Sequence, residues 1–202
     1  LFLSMACLLA AVPGMAQFRV EVSGVGLTQL PIAVAPFKGD DAAPQKIGAI
    51  VAADLERSGQ FRLIDAANPA LDENARIDMS TWRQKNADAL VVGSITRLAD
   101  GRYDVRFRLW DVVRGQDMGQ SFAVATGDLR LVAHKIADFI YEKLTGEKGV
   151  FSTRIAYVTK TANRHTLWVA DADGENAQSA LASPEPIISP AWAANGAQLA
   201  YV

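Results

Sequence analysis

The sequence has few of the residues from which most active and metal sites are built. Its 202 residues include a single cysteine, Cys7, and only two histidines, His134 and His165. One thiol forms neither an intramolecular disulfide nor a cysteine metal site. The two histidines lie far apart, and neither stands at metal-ligand spacing from a cluster of carboxylates. We therefore expect no metal, no cofactor and no catalytic residue.

Excess charge and long apolar runs are scarce as well. The net charge is −2 and the isoelectric point is near 5.7, so no strong positive field attracts a nucleic acid. After residue 16, no apolar run approaches the ~18 to 20 residues that cross a bilayer. The composition, 50% hydrophobic and 21% charged, is that of a globular protein. The length allows one full domain and part of another.

The first 16 residues resemble a secretory signal peptide. They carry no charge, and Gly14 and Ala16 place small residues at positions −3 and −1 before Gln17. We expect cleavage after Ala16, export to the periplasm and no membrane span in the mature chain. Two alternatives are a buried N-terminal helix and a lipoprotein site at Cys7. Because neither Met nor a basic segment precedes the apolar run, we expect the sequence to be cut at its start.

Hydrophobic patterning predicts an α/β domain over residues 30–146, with helices packed on a mixed sheet. Predicted strands cover 30–37, 61–65, 88–98, 103–110 and 121–126, and predicted helices cover 44–58, 81–87 and 128–144. The last helix has a continuous apolar stripe and is followed by Gly146. His134 falls off this stripe beside Asp138, so we expect an exposed side chain. His165 is placed at the start of a hairpin strand.

A repeat begins after Gly149. The segment at 154–158 ends in Ala-Tyr-Val and recurs at 198–202 with the same three residues. Spacings of about 40 to 45 residues are typical of β-propeller blades. Since one blade cannot close a ring, we expect 147–202 to be the truncated start of an all-β propeller.

Three further motifs are weak candidates for sites. The segment 171–176 resembles the opening of a calcium loop but lacks glycine at the sixth place, which favours a hairpin turn. Arg102, Arg106 and Arg108 form a basic stripe near Trp110 that could hold single-stranded nucleic acid. Acidic neighbours favour cross-strand pairing or a protein contact instead. Residues 23–26 contain Gly-Val-Gly without a third glycine, as in a flexible joint.

The start of the predicted mature chain alternates apolar and polar residues. The residues concerned are Gln17, Phe18, Arg19, Val20, Glu21 and Val22. Residues 17–29 would then form an extended segment with a flexible joint. Such a segment can add as a strand to the sheet edge of another protein. Alternatively, it pairs with the sheet of its own chain.

Together these features resemble the TolB family, periplasmic components of the Tol-Pal envelope system. The resemblance spans nearly the whole chain and is carried by the signal peptide, the alternating segment 17–22 and six further blocks, at 30–37, 50–59, 88–93, 142–146, 153–158 and 189–196. The last block, Ser-Pro-Ala-Trp-Ala-Ala-Asn-Gly, departs from the family's Ser-Pro-x-Trp-Ser-Pro-Asp-Gly at Ala193, Ala194 and Asn195.

The resemblance implies a monomeric, non-enzymatic adaptor. It implies that residues 17–22 contact TolA, that the propeller contacts Pal, and that the protein supports outer-membrane integrity and constriction during cell division. One alternative is the N-terminal part of an exported serine peptidase, in which propeller repeats precede a domain with a Gly-x-Ser-x-Gly motif. An RNA-binding module is a third class, which would require a cytoplasmic location.

Overall fold

The computed structural model describes residues 29–66 and 71–202. The interpretations placed on residues 1–28, including the signal peptide, the segment 17–22 and its glycine joint, lie outside the described residues. None of the helices in the described ranges combines the length and the apolar character of a membrane span.

The first half of the described chain is built on a mixed five-stranded sheet. Its strands are β1 (Leu30–Val34), β2 (Phe61–Ile64), β3 (Ala89–Arg97), β4 (Tyr103–Asp111) and β5 (Gln116–Val124), in the order β2-β1-β3-β4-β5. β1 runs parallel to β2 and β3, whereas β3, β4 and β5 form an antiparallel meander. The predicted mixed α/β class is confirmed. β5 starts five residues earlier than predicted because it pairs with β4 along its whole length.

Three α-helices accompany this sheet, at α1 (Ile47–Arg57), α2 (Met79–Gln84) and α3 (Leu129–Thr145), with short 3₁₀ helices at Asp40–Ala42 and Thr126–Asp128. α1 begins three residues after the start predicted at 44, so Pro44 precedes the helix and the predicted start was wrong. The first turn is held instead by Asp40, whose carboxylate accepts hydrogen bonds from the N–H groups of Ile47 (2.9 Å) and Gly48 (3.0 Å). These bonds satisfy donors that a helix start leaves free.

Two apolar clusters lie on opposite faces of the sheet. The larger one joins α1 and α3 to the face that carries Ile32, Val91 and Phe107. The smaller one joins α2, through Trp82, to the face that carries Leu90. β3 is thus covered on both faces, as its continuous apolar sequence predicts. The predicted apolar stripe of α3 is buried, and Gly146 ends the helix in the left-handed conformation (φ 81°).

The second half of the described chain is all β. β6 (Arg154–Thr161), β7 (Arg164–Asp171) and β8 (Gln178–Ser183) form an antiparallel three-stranded sheet, here called the second sheet, and β9 (Ala191–Trp192) pairs with β10 (Leu199–Ala200). The predicted hairpin turn after β7 is confirmed, because the N–H of Gly174 donates to the carbonyl of Asp171 (2.9 Å). Consecutive antiparallel strands are the arrangement expected at the start of a propeller.

Candidate functional site: a charge cluster between two sheets

The basic stripe formed by Arg102, just before β4, and by Arg106 and Arg108 of β4 is neutralised by neighbouring carboxylates. The pairs are Arg102 with Asp100 (2.8 Å), Arg106 with Asp104 (2.8 Å) and Arg108 with Asp117 (2.7 Å). The third pair joins β4 to β5, so the predicted cross-strand pairing is confirmed there. Each guanidinium already has an anionic partner, which reduces the attraction of this face for phosphate groups.

His134 is buried, and the predicted exposed position was wrong. The residue is 1% exposed, and its Nδ1 lies 2.6 Å from Oδ2 of Asp54, which is also 1% exposed. Asp54 belongs to α1, and the packing of α1 on α3 covers the flank of the apolar stripe where His134 lies. Asp138, the neighbour that the sequence offers to His134, binds backbone groups elsewhere.

Arg130 lies one helical turn before His134 and reaches the second sheet. Its Nε is 3.1 Å from Oδ2 of Asp171, the last residue of β7, and its Nη2 is 2.5 Å from Oδ2 of Asp173 in the following turn. All three side chains are at most 18% exposed. The segment at 171–176, predicted to be a hairpin turn, therefore also supplies two carboxylates to a contact with α3.

These contacts join into one charge cluster, which comprises Asp54, Arg57, Arg130, His134, Asp171 and Asp173. Arg57 enters the cluster through Asp54, since its Nη1 lies 2.9 Å from Oδ1 of that residue. The Nε2 of His134 is buried without a hydrogen-bond partner in the structure. It faces Oδ2 of Asp171 at 3.9 Å and Oδ2 of Asp173 at 4.0 Å.

The surroundings of His134 favour the charged imidazolium. Burial by itself lowers the pKa of His134. The hydrogen bond and the negative charge of Asp54, together with the charge of Asp173, outweigh burial and the repulsion from Arg130, so the pKa is raised above its ordinary value of 6.5. Burial raises the pKa of Asp173. The N–H of Glu175 and the guanidinium of Arg130 lower it by a larger amount, so the net shift is downward.

The cluster has some features of a metal site. Asp54, His134 and Asp173 offer one ligand atom each, all within 4.8 Å of one another. However, Arg130 donates to Asp173, and Arg57 and His134 both lie against Asp54. Cationic side chains thus already occupy the place where a metal ion would neutralise the carboxylates. The arrangement is that of an ion-pair network connecting α1, α3 and the second sheet.

The segment between α3 and β6 is attached to α3 by a second contact. The carboxylate of Asp138 accepts hydrogen bonds from the N–H groups of Phe151 (2.7 Å) and Ser152 (3.1 Å). The ring of Phe151 packs edge-on against Tyr141 of α3, with the ring centroids 5.7 Å apart. A Cβ atom at Gly149 would collide with Asp138, so the absence of a side chain there permits this close approach. Residues 149–152 are consequently held against the helix.

The predicted partner-binding residues, Gln17 to Val22, lie outside the described residues, so their predicted role stays a prediction. His165 is at the start of β7, at the opposite end of the strand from Asp171. Sequence reasoning missed the cluster itself. The available signal was the pair Arg130 and His134, four residues apart along the edge of the apolar stripe of α3.

Comparisons with known proteins identify two family profiles in the chain. Residues 18–118 match the TolB amino-terminal domain. Residues 141–202 match the TolB beta propeller domain. The second match supports the propeller that the repeat predicts.

Curated relatives and a solved structure agree with these profiles. The chain is 73% identical over 203 aligned positions to the Tol-Pal system protein TolB of Albidiferax ferrireducens, covering 100% of this chain and 47% of the relative. It is 54% identical over 203 positions to the protein of the same name from Bordetella pertussis, covering 100% and 46%. The chain thus spans about half the length of the curated relatives that it matches. The crystal structure of TolB from Acinetobacter baumannii superposes with a TM-score of 0.75 at 36% identity, covering 86% of this chain and 43% of that one.

Proposed function

Because the chain belongs to the TolB family, we propose that it is part of a non-enzymatic periplasmic adaptor of the Tol-Pal cell-envelope system. The adaptor links TolA of the inner membrane to Pal at the outer membrane. Through this link it supports outer-membrane integrity and constriction during cell division. Export through a cleaved signal peptide at residues 1–16 brings it to the periplasm.

One observation carries this proposal. Both halves of the chain match TolB profiles in the order in which the two domains occur here, and the relatives at 73% and 54% identity are named as Tol-Pal proteins. A likeness confined to the sheet domain would support the fold alone, since one fold hosts many functions. Agreement along the entire chain supports a shared role.

The buried cluster supports a role without catalysis. In the described ranges, it is the place where a histidine and several carboxylates meet. A general base must reach the proton that it abstracts from a substrate. His134 and Asp54 are each only 1% exposed, and their partners are charged groups of the same chain. The cluster therefore serves the contact between the two sheets.

For residues 17–22, the proposed role is a strand that pairs with TolA. The alternating sequence places Phe18, Val20 and Val22 on one side of an extended chain and Arg19 and Glu21 on the other. Backbone hydrogen bonds supply affinity in strand addition, and the alternate side chains supply specificity. We infer a competition in which this segment either pairs with TolA or returns to its own protein, and Pal at the propeller shifts the balance.

The test is a deletion of residues 17–24 in the complete protein. We expect the deletion to abolish TolA binding, measured by titration calorimetry with purified TolA, while Pal binding persists. Persistent Pal binding also shows that the propeller has folded. Undiminished binding of TolA by the deletion variant would refute the assignment.

Paired variants separate strand addition from simple loss of chain length. Replacing Phe18 and Val20 by serine removes the apolar side of the segment, and we expect TolA binding to fall at least tenfold, or ~1.4 kcal/mol. Replacing Arg19 and Glu21 by serine is the matched control and should change binding less. Equal losses in the two variants would argue against a one-sided strand.

A further inference from the structure

We propose that His134 is a pH-sensitive clasp between the α/β domain and the second sheet. In the imidazolium form it is held by Asp54 on one side and faces Asp171 and Asp173 on the other. Loss of one proton weakens the contact between α3 and the turn after β7. This inference rests on the geometry of the charge cluster and does not depend on the identity of the partners.

The proton inventory of the imidazole carries the argument. Nδ1 lies 2.6 Å from an oxygen of Asp54, so Nδ1 carries a proton and donates it. In the neutral ring, Nε2 would then present a lone pair to two carboxylate oxygens at 3.9 and 4.0 Å. In the imidazolium, Nε2 presents an N–H to the same oxygens. The charged ring therefore attracts both sides of the contact, whereas the neutral ring attracts one.

The charged groups around His134, on every element packed against it, also favour the imidazolium. α1 contributes Asp54 and Arg57, α3 contributes Arg130, and the end of β7 with its turn contributes Asp171 and Asp173. Three carboxylates and two guanidinium groups leave one negative charge, which the imidazolium balances. Asp138, one helical turn further on, is engaged by the N–H groups of residues 151 and 152 and adds a further negative charge nearby.

The direction of the pH effect follows from the raised pKa of His134. In the open contact, His134 keeps Asp54 of its own domain but loses the charge of Asp173, and this charge couples the titration to the contact. The stabilising contribution is fully present below the pKa of His134 in the open contact and is lost as the pH rises through its higher pKa in the clasped contact. Arg130 keeps its pairs with Asp171 and Asp173 throughout, so deprotonation loosens the contact without abolishing it.

Two measurements on the complete protein test the clasp. In the first, the imidazole of His134 is titrated by nuclear magnetic resonance, with its signal assigned from the variant His134→Gln. We expect a titration midpoint above 6.5 that falls in Asp173→Asn. His165→Gln is the matched control and should leave the midpoint of His134 unchanged. A midpoint at or below 6.5, or a midpoint that is unchanged in Asp173→Asn, would overturn the proposal.

In the second, spin labels at Arg97→Cys and Gln178→Cys report the distance between β3 and β8 by pulsed electron resonance. Both side chains are exposed, and Cys7 lies in the predicted leader. We expect the distance distribution to broaden as the pH rises through the titration of His134. The double variant Asp171→Asn and Asp173→Asn lacks the two carboxylates that face His134, so we expect its distance distribution not to change with pH. This comparison does not require the variant His134→Gln to fold. A distribution that is the same below and above the titration would contradict a clasp.

Discussion

Removal of the Asp138 carboxylate tests how the segment between the two sheets is held. Asp138→Ala deletes two hydrogen bonds to a charged acceptor, from the N–H groups of Phe151 and Ser152. Bonds of this kind contribute ~1.5 to 3 kcal/mol each. Two such bonds sum to ~3 to 6 kcal/mol. Because Asp138 is only half-buried and water can replace part of the interaction, we expect less than this sum, about 2 to 4 kcal/mol for the pair. Asp138→Asn keeps one acceptor oxygen and should lose about half as much.

Amide hydrogen exchange at residues 151 and 152 is the appropriate assay, because a protein of several domains gives no single free energy of unfolding. A loss of 2 to 4 kcal/mol corresponds to exchange that is faster by ~30-fold to 10³-fold in Asp138→Ala. The exchange rate of Asp138→Asn should lie between those of the unchanged protein and Asp138→Ala. Glu142→Gln, an exposed change on the same helix, serves as the control. Unaltered exchange at both amides in a folded Asp138→Ala protein would refute this account of the junction.

Two further predictions concern the α/β domain. Asp40→Ala removes the side-chain cap of α1 and should lower the local stability of the α/β domain by ~1 to 2 kcal/mol, measured by amide hydrogen exchange in that domain. The exposed neighbour Asp41→Ala should change the exchange little, and equal effects of the two variants would count against the cap. Gly93→Ala would place a Cβ 2.5 Å from the ring of Phe37 and 2.6 Å from the carbonyl oxygen of Arg106, and should cost ~1 to 3 kcal/mol, whereas Gly127→Ala, which meets open space, should be neutral in the same assay.

Local patterns predict much of the fold because they depend on neighbours in sequence. The apolar stripe of α3 and the glycine after it define that helix almost to the residue. The continuous apolar run of β3 predicts its central place. The start of α1 was less accessible, because its cap comes from Asp40, seven residues before the first helical N–H that it binds. Capping residues normally stand next to the start of a helix, so the sequence pattern does not indicate such a distant partner.

The charge cluster could not be predicted from spacing for the same reason. The partner of His134 is Asp54, 80 residues earlier in the chain, and the partners of Arg130 are 41 and 43 residues later. Helical spacing indicates only Asp138 as a partner for His134. In the structure, Asp138 instead accepts hydrogen bonds from N–H groups that follow the helix. His134 lies at the edge of the apolar stripe of α3, where the sequence pattern does not decide between burial and exposure. The packing of α1 on α3 buries it. The predicted TolA segment at 17–22 stays a prediction.

The position of α3 has a mechanical consequence. Its apolar side fills the core between α1 and the five-stranded sheet, while Arg130, His134 and Asp138 on the same helix hold the turn after β7 and the segment before β6. A pull on the second sheet is therefore transmitted along the helix into the core. If the protein connects partners in two membranes, tension on the propeller reaches α3 through these contacts, and separation of the two halves requires the contacts to break while the helix stays packed in the core.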